Sequence, residues 1–339
     1  MTALSPDLAP AALTRTDDGA SRRTANPWLR FVLRRLVSLV LVLLGLVTVT
    51  FALVRLVPGD PAAILAGLNQ THSTVAIIRH NLGLDRPALS QYFSYIWGVL
   101  HGRLGRSFYT SQAVSSLLVQ RGIPSAQLAG TALILVMLIS IPGGMIAAAL
   151  TRDGRRRHFE AVFSAVTSVF GAIPEFLMAT LLAFVFAVAL HLLPVAGNGG
   201  VQSLVLPVLA ISLRPIAVLL RLVRVEALNV LSQDYIRTAR SKRLGWRAIY
   251  LRHVLPNALT PVLTIGGVLF SSLIAGAVVV ENVFARNGLG TALVSAVLGR
   301  DYPVVQGIVL VLGVTVVIVN AIVDFLLALT DPRSLTGQA

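Results

Sequence analysis

The sequence predicts an all-α polytopic membrane protein with six spans, and three observations carry that prediction. The chain of 339 residues is 55% hydrophobic with a mean hydropathy of +0.81, too apolar for a soluble domain. Several of its apolar runs reach the roughly 20 residues that a bilayer-spanning helix needs. Its net charge of +14 sits in the polar intervals between those runs, as expected of cytoplasmic loops that hold a topology in place. The same charge in a less apolar chain would point to nucleic acid; here no nucleic-acid partner is expected.

Taken in order, residues 1–27 lack apolar periodicity and an apolar targeting core, and read as a disordered cytoplasmic tail. Residues 28–57 form the first span: Arg30, Arg34 and Arg35 precede an unbroken apolar run, Leu36 to Leu53. It ends at Val57-Pro58-Gly59-Asp60-Pro61, where Pro and Gly break a helix and Asp opens a turn. Residues 58–125 hold no spanning run and predict a small external subdomain of short helices. The remaining five spans occupy a core over 126–335, and 336–339 is a C-terminal tail.

Within that core the second span covers about Leu128 to Leu150 and contains Pro142-Gly143-Gly144, a break tolerable only where neighbours re-satisfy the backbone. A basic loop, Arg152 to Arg157, comes next. The run Ala161 to Leu193 has 33 residues, too many for one upright helix and too few for two, and Pro174-Glu175 interrupts it; a kinked or broken span is expected. The fourth span runs from about Leu204 to Val223, the fifth from Pro261 to Val280 and the sixth from Val304 to Leu327, which leads to Asp331-Pro332-Arg333. Six spans put both termini on one side. Of the 28 basic residues, seven (Arg79, Arg86, Arg103, Arg106, Arg121, Arg286 and Arg300) fall in segments assigned outside, so the termini are cytoplasmic.

Several chemistries are excluded. Cysteine is absent, which removes disulfides, thiol catalysis and thiolate metal sites. The six histidines never pair at i, i+3 or i+4, so no metal site is expected. No serine sits in G-x-S-x-G, and no catalytic residue is assigned. Lys242 is the one lysine and lacks the preceding G-x-x-x-x-G of a P-loop, so the chain carries no ATPase site of its own.

Charged residues near membrane depth are more informative. Glu175, Arg214 and Asp324 lie within apolar runs, and Glu281 at the end of one. Such groups face a bundle interior or an aqueous cavity. Arg214 sits about ten residues into its span, roughly 15 Å from the outer end, too deep for an arginine to snorkel. Facing lipid would cost about 2.5–3.5 kcal/mol or more. It is expected to pair with Glu175, or to meet the carboxylate of a passing substrate through its bidentate fork. An ion-coupled secondary transporter would also use such residues, but no internal repeat supports that class.

The longest polar interval of the second half lies within 226–256. Arg237, Arg240, Lys242, Arg243, Arg247 and Arg252 fall between 237 and 252, with no acidic residue among them. Trp246, Ile249, Tyr250 and His253 recur at the spacing of one helical face. A basic cytoplasmic loop with an amphipathic helix docks on a partner, or lies on anionic lipid.

This interval resembles the coupling loop of binding-protein-dependent ABC importer permeases, in the dipeptide/oligopeptide/nickel branch. In the family pattern an E-A-A triplet precedes a glycine and a final L-P. Here the triplet is Arg237-Thr238-Ala239, the glycine position holds Arg243, and Leu255-Pro256 closes the pattern. Gly245 is expected to take over the helix end that the family glycine provides, giving a displaced turn at 243–245 between two short helices. Further segments resemble the same branch: LVPGDP at 56–61, LGLDRP at 82–87, Gln91-Tyr92, GRLGRS at 102–107, IPEF at 173–176, LPVAG at 193–197, ENVFARNGLG at 281–290 and RDYPVVQG at 300–307.

The resemblance implies a type I ABC importer permease fold in the inner membrane. It implies a second homologous permease subunit, two ATPase subunits or domains carrying the ATP and Mg, and an extracytoplasmic binding protein; the chain itself binds no cofactor. It assigns ATPase coupling to Asp234, Tyr235, Arg237, Thr238, Ala239, Arg240, Arg243, Gly245, Trp246, His253 and Pro256. It assigns binding-protein contact to Arg286, Asn287 and Gly288. Peptide is the substrate expected first, with a nickel chelate or glutathione as alternatives.

Overall fold

The computed structural model describes residues 27–56, 60–67, 71–81, 83–154, 156–197 and 199–330. The expected tails, the Pro58-Gly59 corner and Asp331-Pro332-Arg333 lie outside those residues. The regular structure among the described residues is helical, apart from one isolated antiparallel bridge between Arg106 and Ala113.

Helix α1 (Pro27–Leu56) carries the first span and packs on the last helix of the chain. Three short helices come after it: α2 (Pro61–Ala66), α3 (His72–Asn81) and α4 (Ala88–Leu100). Asp60 starts α2 by accepting the Ala62 N–H at 3.0 Å, as a short acidic side chain before a helix does.

The second span is longer than its sequence suggests. Helix α5 (Val114–Thr151) has 38 residues, about 57 Å at 1.5 Å per residue, so it begins inside the range assigned to the external segment. Pro124 and Pro142 lie within it and do not end it. Pro142-Gly143-Gly144, expected to break the helix, serves packing instead. A Cβ on Gly144 would stand 2.5 Å from Cβ of Val223, and one on Gly143 2.7 Å from Cδ2 of Leu220. The missing side chains let two backbones approach, the way membrane helices associate without a hydrophobic drive of their own.

Helices α6 (Arg157–Ala172) and α7 (Glu175–Leu182) are the halves of the interrupted run and bend by 99° at Ile173-Pro174. Ile173 is extended (φ −73°, ψ 123°) because the proline after it disfavours a helical residue at that position. A π-helical turn, Ala183–Ala189, continues α7. Helix α8 (Gln202–Leu231) lies at the centre, against α5, α6 and α7.

Helices α9 (Asp234–Ser241) and α10 (Trp246–Ile249) form the polar interval. The second of them is not a separate short helix: a π-helical turn, Tyr250–Val254, joins it to α11 (Leu255–Val283). Helices α12 (Leu289–Gly299) and α13 (Tyr302–Thr330) complete the chain. Among the described residues five helices are long and apolar enough to cross a membrane, or six if the bent pair α6–α7 counts as one span.

Three apolar cores hold the bundle. One joins α5, α7, α8 and α11 around Leu128, Leu206, Leu273 and Phe284. A second, around Val136, Leu219, Ile236 and Ile249, ties the polar interval to α5 and α8. The third seats the start of α5 on α12 and α13 through Val114, Leu289 and Ile308.

Candidate functional site

The polar interval is fixed from within before it can meet anything outside. Ile236 and Ile249 are buried with Leu231, Val254, Met145 and Ala148, and Ala239 is only 7% exposed. Helix α9 ends in a Schellman arrangement: the Leu244 N–H donates to the Ala239 carbonyl (3.3 Å) and the Arg243 N–H to the Arg240 carbonyl (2.8 Å). Arg243 itself takes the left-handed conformation this requires, at φ 57°. Gly245 does not take over the turn. It is extended (φ −63°, ψ 151°) and precedes the first residue of α10. The turn therefore stays where the resembling pattern has its glycine, and arginine bears the cost of the positive φ.

The amphipathic face read from the sequence is divided. Ile249 points into this chain's own core, whereas Trp246 is 69% exposed, and Tyr250 and His253 lie between. The π-helical turn at Tyr250–Val254 inserts an extra residue per turn and rotates the residues beyond it. The surface left outward combines Tyr235, Leu244 and Trp246 with Arg237, Thr238, Lys242, Arg243 and Arg247, all exposed. Arg247 places its guanidinium carbon 5.4 Å over the Trp246 ring, and Tyr250 meets that ring edge-on at 6.5 Å. Asp234 pairs with Arg237 at 3.4 Å in full exposure, an interaction worth little. Pro256 is exposed on the first turn of α11, and the Arg240 side chain is half-buried.

The segment Arg286-Asn287-Gly288, which the resemblance assigns to binding-protein contact, is largely internal. Arg286 is 2% exposed, and its Nη1 donates to the Ser203 carbonyl at 3.4 Å. Its Nε meets no acceptor among the described residues. Burial lowers the Arg286 pKa, against the opposing charge of Glu281. Gly288 is also buried, and Asn287 is exposed, accepting from Arg121 Nη1 at 2.9 Å. The reason is Glu281, 1% exposed, whose carboxylate accepts from Ser125 Oγ (2.5 Å) and the Gly290 N–H (2.7 Å). A Cβ on Gly288 would lie 2.2 Å from that carboxylate, and one on Gly290 2.5 Å from Cα of Val278. A carboxylate at the start of α12 satisfies backbone donors that a helix leaves open.

Ion pairs join the spans. Arg214 Nη1 lies 3.2 Å from Glu175 Oε1; Glu175 opens α7 just after the 99° bend, and the Arg214 side chain is 51% exposed in the single chain. Asp324 of α13 pairs with Arg35 of α1. Among the described residues no group of three or more His, Cys, Asp or Glu residues is arranged to hold a metal ion.

Residues 140–335 match the family described as binding-protein-dependent transport system inner membrane component, and residues 28–129 match its N-terminal companion. The chain belongs to this family. A peptide transport system permease protein of Brucella abortus (strain 2308) is 40% identical over 310 residues, covering 89% of this chain and 98% of that one. The glutathione transport system permease protein of Salmonella typhi is 38% identical over 304 residues, covering 90% and 98%. A structure of the MetNI methionine ABC transporter in an inward-facing conformation aligns with a TM-score of 0.54 at 17% identity, covering 63% of this chain and 96% of that one. The shared architecture is the type I ABC importer permease fold, and the chain is a multi-pass inner-membrane transport component.

Three junctions of this permease escape a reading of the sequence. Arg224 of α8 donates from Nε to Thr151 Oγ1 (2.9 Å) and pairs through Nη2 with Glu160, tying the ends of α5 and α6 together. Asp301 accepts from Ser107 Oγ (2.5 Å) and the Phe108 N–H (3.0 Å), joining GRLGRS to RDYPVVQG. The Gly197 N–H donates to the Phe284 carbonyl (3.1 Å), joining LPVAG to ENVFARNGLG. The signal for Arg224 is its place at the edge of an apolar run, where an arginine reads equally well as loop charge.

Proposed function

We propose that this chain is the permease subunit through which peptides cross the inner membrane after delivery by an extracytoplasmic binding protein. ATP and Mg belong to two partner ATPase subunits or domains, and a second homologous permease completes the pathway. The observation that carries the reading is the cytoplasmic surface of α9 and α10, anchored inward by Ile236 and Ile249 and displaying Tyr235, Leu244, Trp246 and Arg243 outward. A rigid mount with an exposed aromatic and basic face can transmit a push. The energy enters as the differential affinity of ATP-bound ATPases for the two permease states. The relatives named for peptide and glutathione transport support the substrate class, since glutathione is itself a tripeptide. The Arg214–Glu175 pair is the charged point of the pathway in this reading, with Arg214 available to a peptide carboxylate.

The test is Trp246→Asp in the reconstituted importer. A charge at Ala239 would instead disturb this chain's own core, into which Ala239 is turned. Uptake should fall at least tenfold in Trp246→Asp while the chain still accumulates in the membrane with its partners. Wild-type uptake would reject coupling through this surface.

A further inference from the structure

Helix α4, ALSQYFSYIWGVL, has no charged residue among its 13. It is about 20 Å long, too short to cross a membrane. One face lies on α1. The Tyr92 hydroxyl and Thr48 Oγ1 are 2.7 Å apart, and the Phe51 ring meets Tyr92 at 5.3 Å and Tyr95 at 6.1 Å. Thr48 and Phe51 belong to the outer end of the apolar span Arg35–Ala52, so this contact is at membrane depth and not above it. A second face carries Leu89, Phe93, Trp97 and Leu100, spaced by four, four and three residues and between 64% and 74% exposed. A third flank, Ser90, Ser94 and His101, is polar and exposed. The His101 ring lies tilted against Trp97, with centroids 4.2 Å apart. Arg86 stands before the helix and Arg103 and Arg106 after it, all exposed.

We propose that α4 is an interfacial helix of the outer leaflet, with Leu89, Phe93, Trp97 and Leu100 lying among acyl chains beside the outer end of α1. Continuity identifies the occupant. The neighbouring α1 surface exposes Val40, Leu41, Leu44 and Val49, all within the apolar span Arg35–Ala52, and the α4 stripe extends that surface. A soluble binding protein would bring polar groups, and this face offers no charge to complement them. Three-way division into a helix-facing, an apolar and a serine-lined flank suits a boundary with lipid below and water above. A tryptophan and flanking arginines are the side chains favoured at headgroup level. The segment is then a membrane brace for α1, not a water-bathed subdomain.

The chain has no native cysteine, so single cysteines report cleanly. Leu89→Cys, Phe93→Cys, Leu100→Cys and Ser94→Cys are made in the full complex reconstituted in lipid nanodiscs. A membrane-impermeant maleimide should label position 94 at least tenfold faster than 89, 93 and 100. Nitroxides at 89, 93 and 100 should collide more often with oxygen than with a water-soluble nickel chelate. Should one variant fail to assemble, the other stripe positions give the same readout. Labelling at 89, 93 and 100 as fast as at 94 would place the stripe in water and overturn the proposal. A short cross-linker that joins any stripe position to the second permease or to the binding protein would overturn it as well.

Discussion

Arg243 shows how a single side chain can sit against its own backbone preference. At φ 57° it occupies the one conformation where glycine is cheaper than any other residue. Arg243→Gly should therefore stabilise the protein by about 1 kcal/mol, read as a higher unfolding midpoint of the solubilised chain. An unchanged or lower midpoint would mean that the exposed guanidinium contributes more than the strain costs. Arg214 poses the converse question. Its partner Glu175 is 3.2 Å away, so a structural pair and a substrate contact make different forecasts. In the proposed pathway, Arg214→Gln should leave assembly intact and lower peptide uptake at least tenfold. A loss of thermal stability that Glu175→Gln partly restores, with uptake tracking stability alone, would reduce the pair to a helix-register device.

At the scale of elements, small residues decide how closely helices meet. Gly144 has Val223 and the Leu220 carbonyl within 2.9 Å of where a Cβ would stand. Gly144→Leu should destabilise the α5–α8 contact by about 1–3 kcal/mol, the usual cost of overpacking, measured as loss of the folded fraction on heating in detergent. Gly245, with nothing within 4 Å and a negative φ, should accept alanine with no measurable change. Equal effects at the two positions would contradict this packing. The spans themselves are legible in the sequence, because apolar length and arginine position act locally along the chain. The break at Pro174 is legible for the same reason, since proline constrains the residue beside it. The features that escape are long-range: Pro142-Gly143-Gly144 reads as a break until Val223 lies opposite it. Arg286-Asn287-Gly288 reads as a contact segment until the Glu281 carboxylate is found against Gly288 and Gly290. The Trp246 face reads as one stripe until Ile249 is found turned into this chain's own core, a division that leaves no mark in spacing alone.

The whole molecule is a well-knit core to which one span is attached from outside. Helices α5, α7, α8 and α11 share apolar cores, whereas α1 leans on α13 and α4 and exposes Leu36, Val37, Val40 and Leu41. At the cytoplasmic end, Arg35 and Asp324 join α1 to α13. At the other end, Thr48 and Phe51 join it to α4. Apolar contacts between helices gain little in lipid, because the acyl chains are as apolar as the side chains they would replace. The two polar ties should therefore govern how α1 sits. Both members of the Arg35–Asp324 pair are more than a third exposed in the single chain, so the tie should be modest in energy, about 1 kcal/mol, and specific in geometry. Asp324→Asn should loosen α1 without unfolding the core, giving faster proteolysis near residue 57 while the unfolding midpoint of the remainder holds. Arg35→Asp combined with Asp324→Arg should restore protection, because the exchanged charges can re-pair and Arg30 and Arg34 still keep the N-terminus inside. If the double exchange is as protease-sensitive as Asp324→Asn alone, with normal insertion, the pair does not hold α1, and packing on α4 must do so unaided.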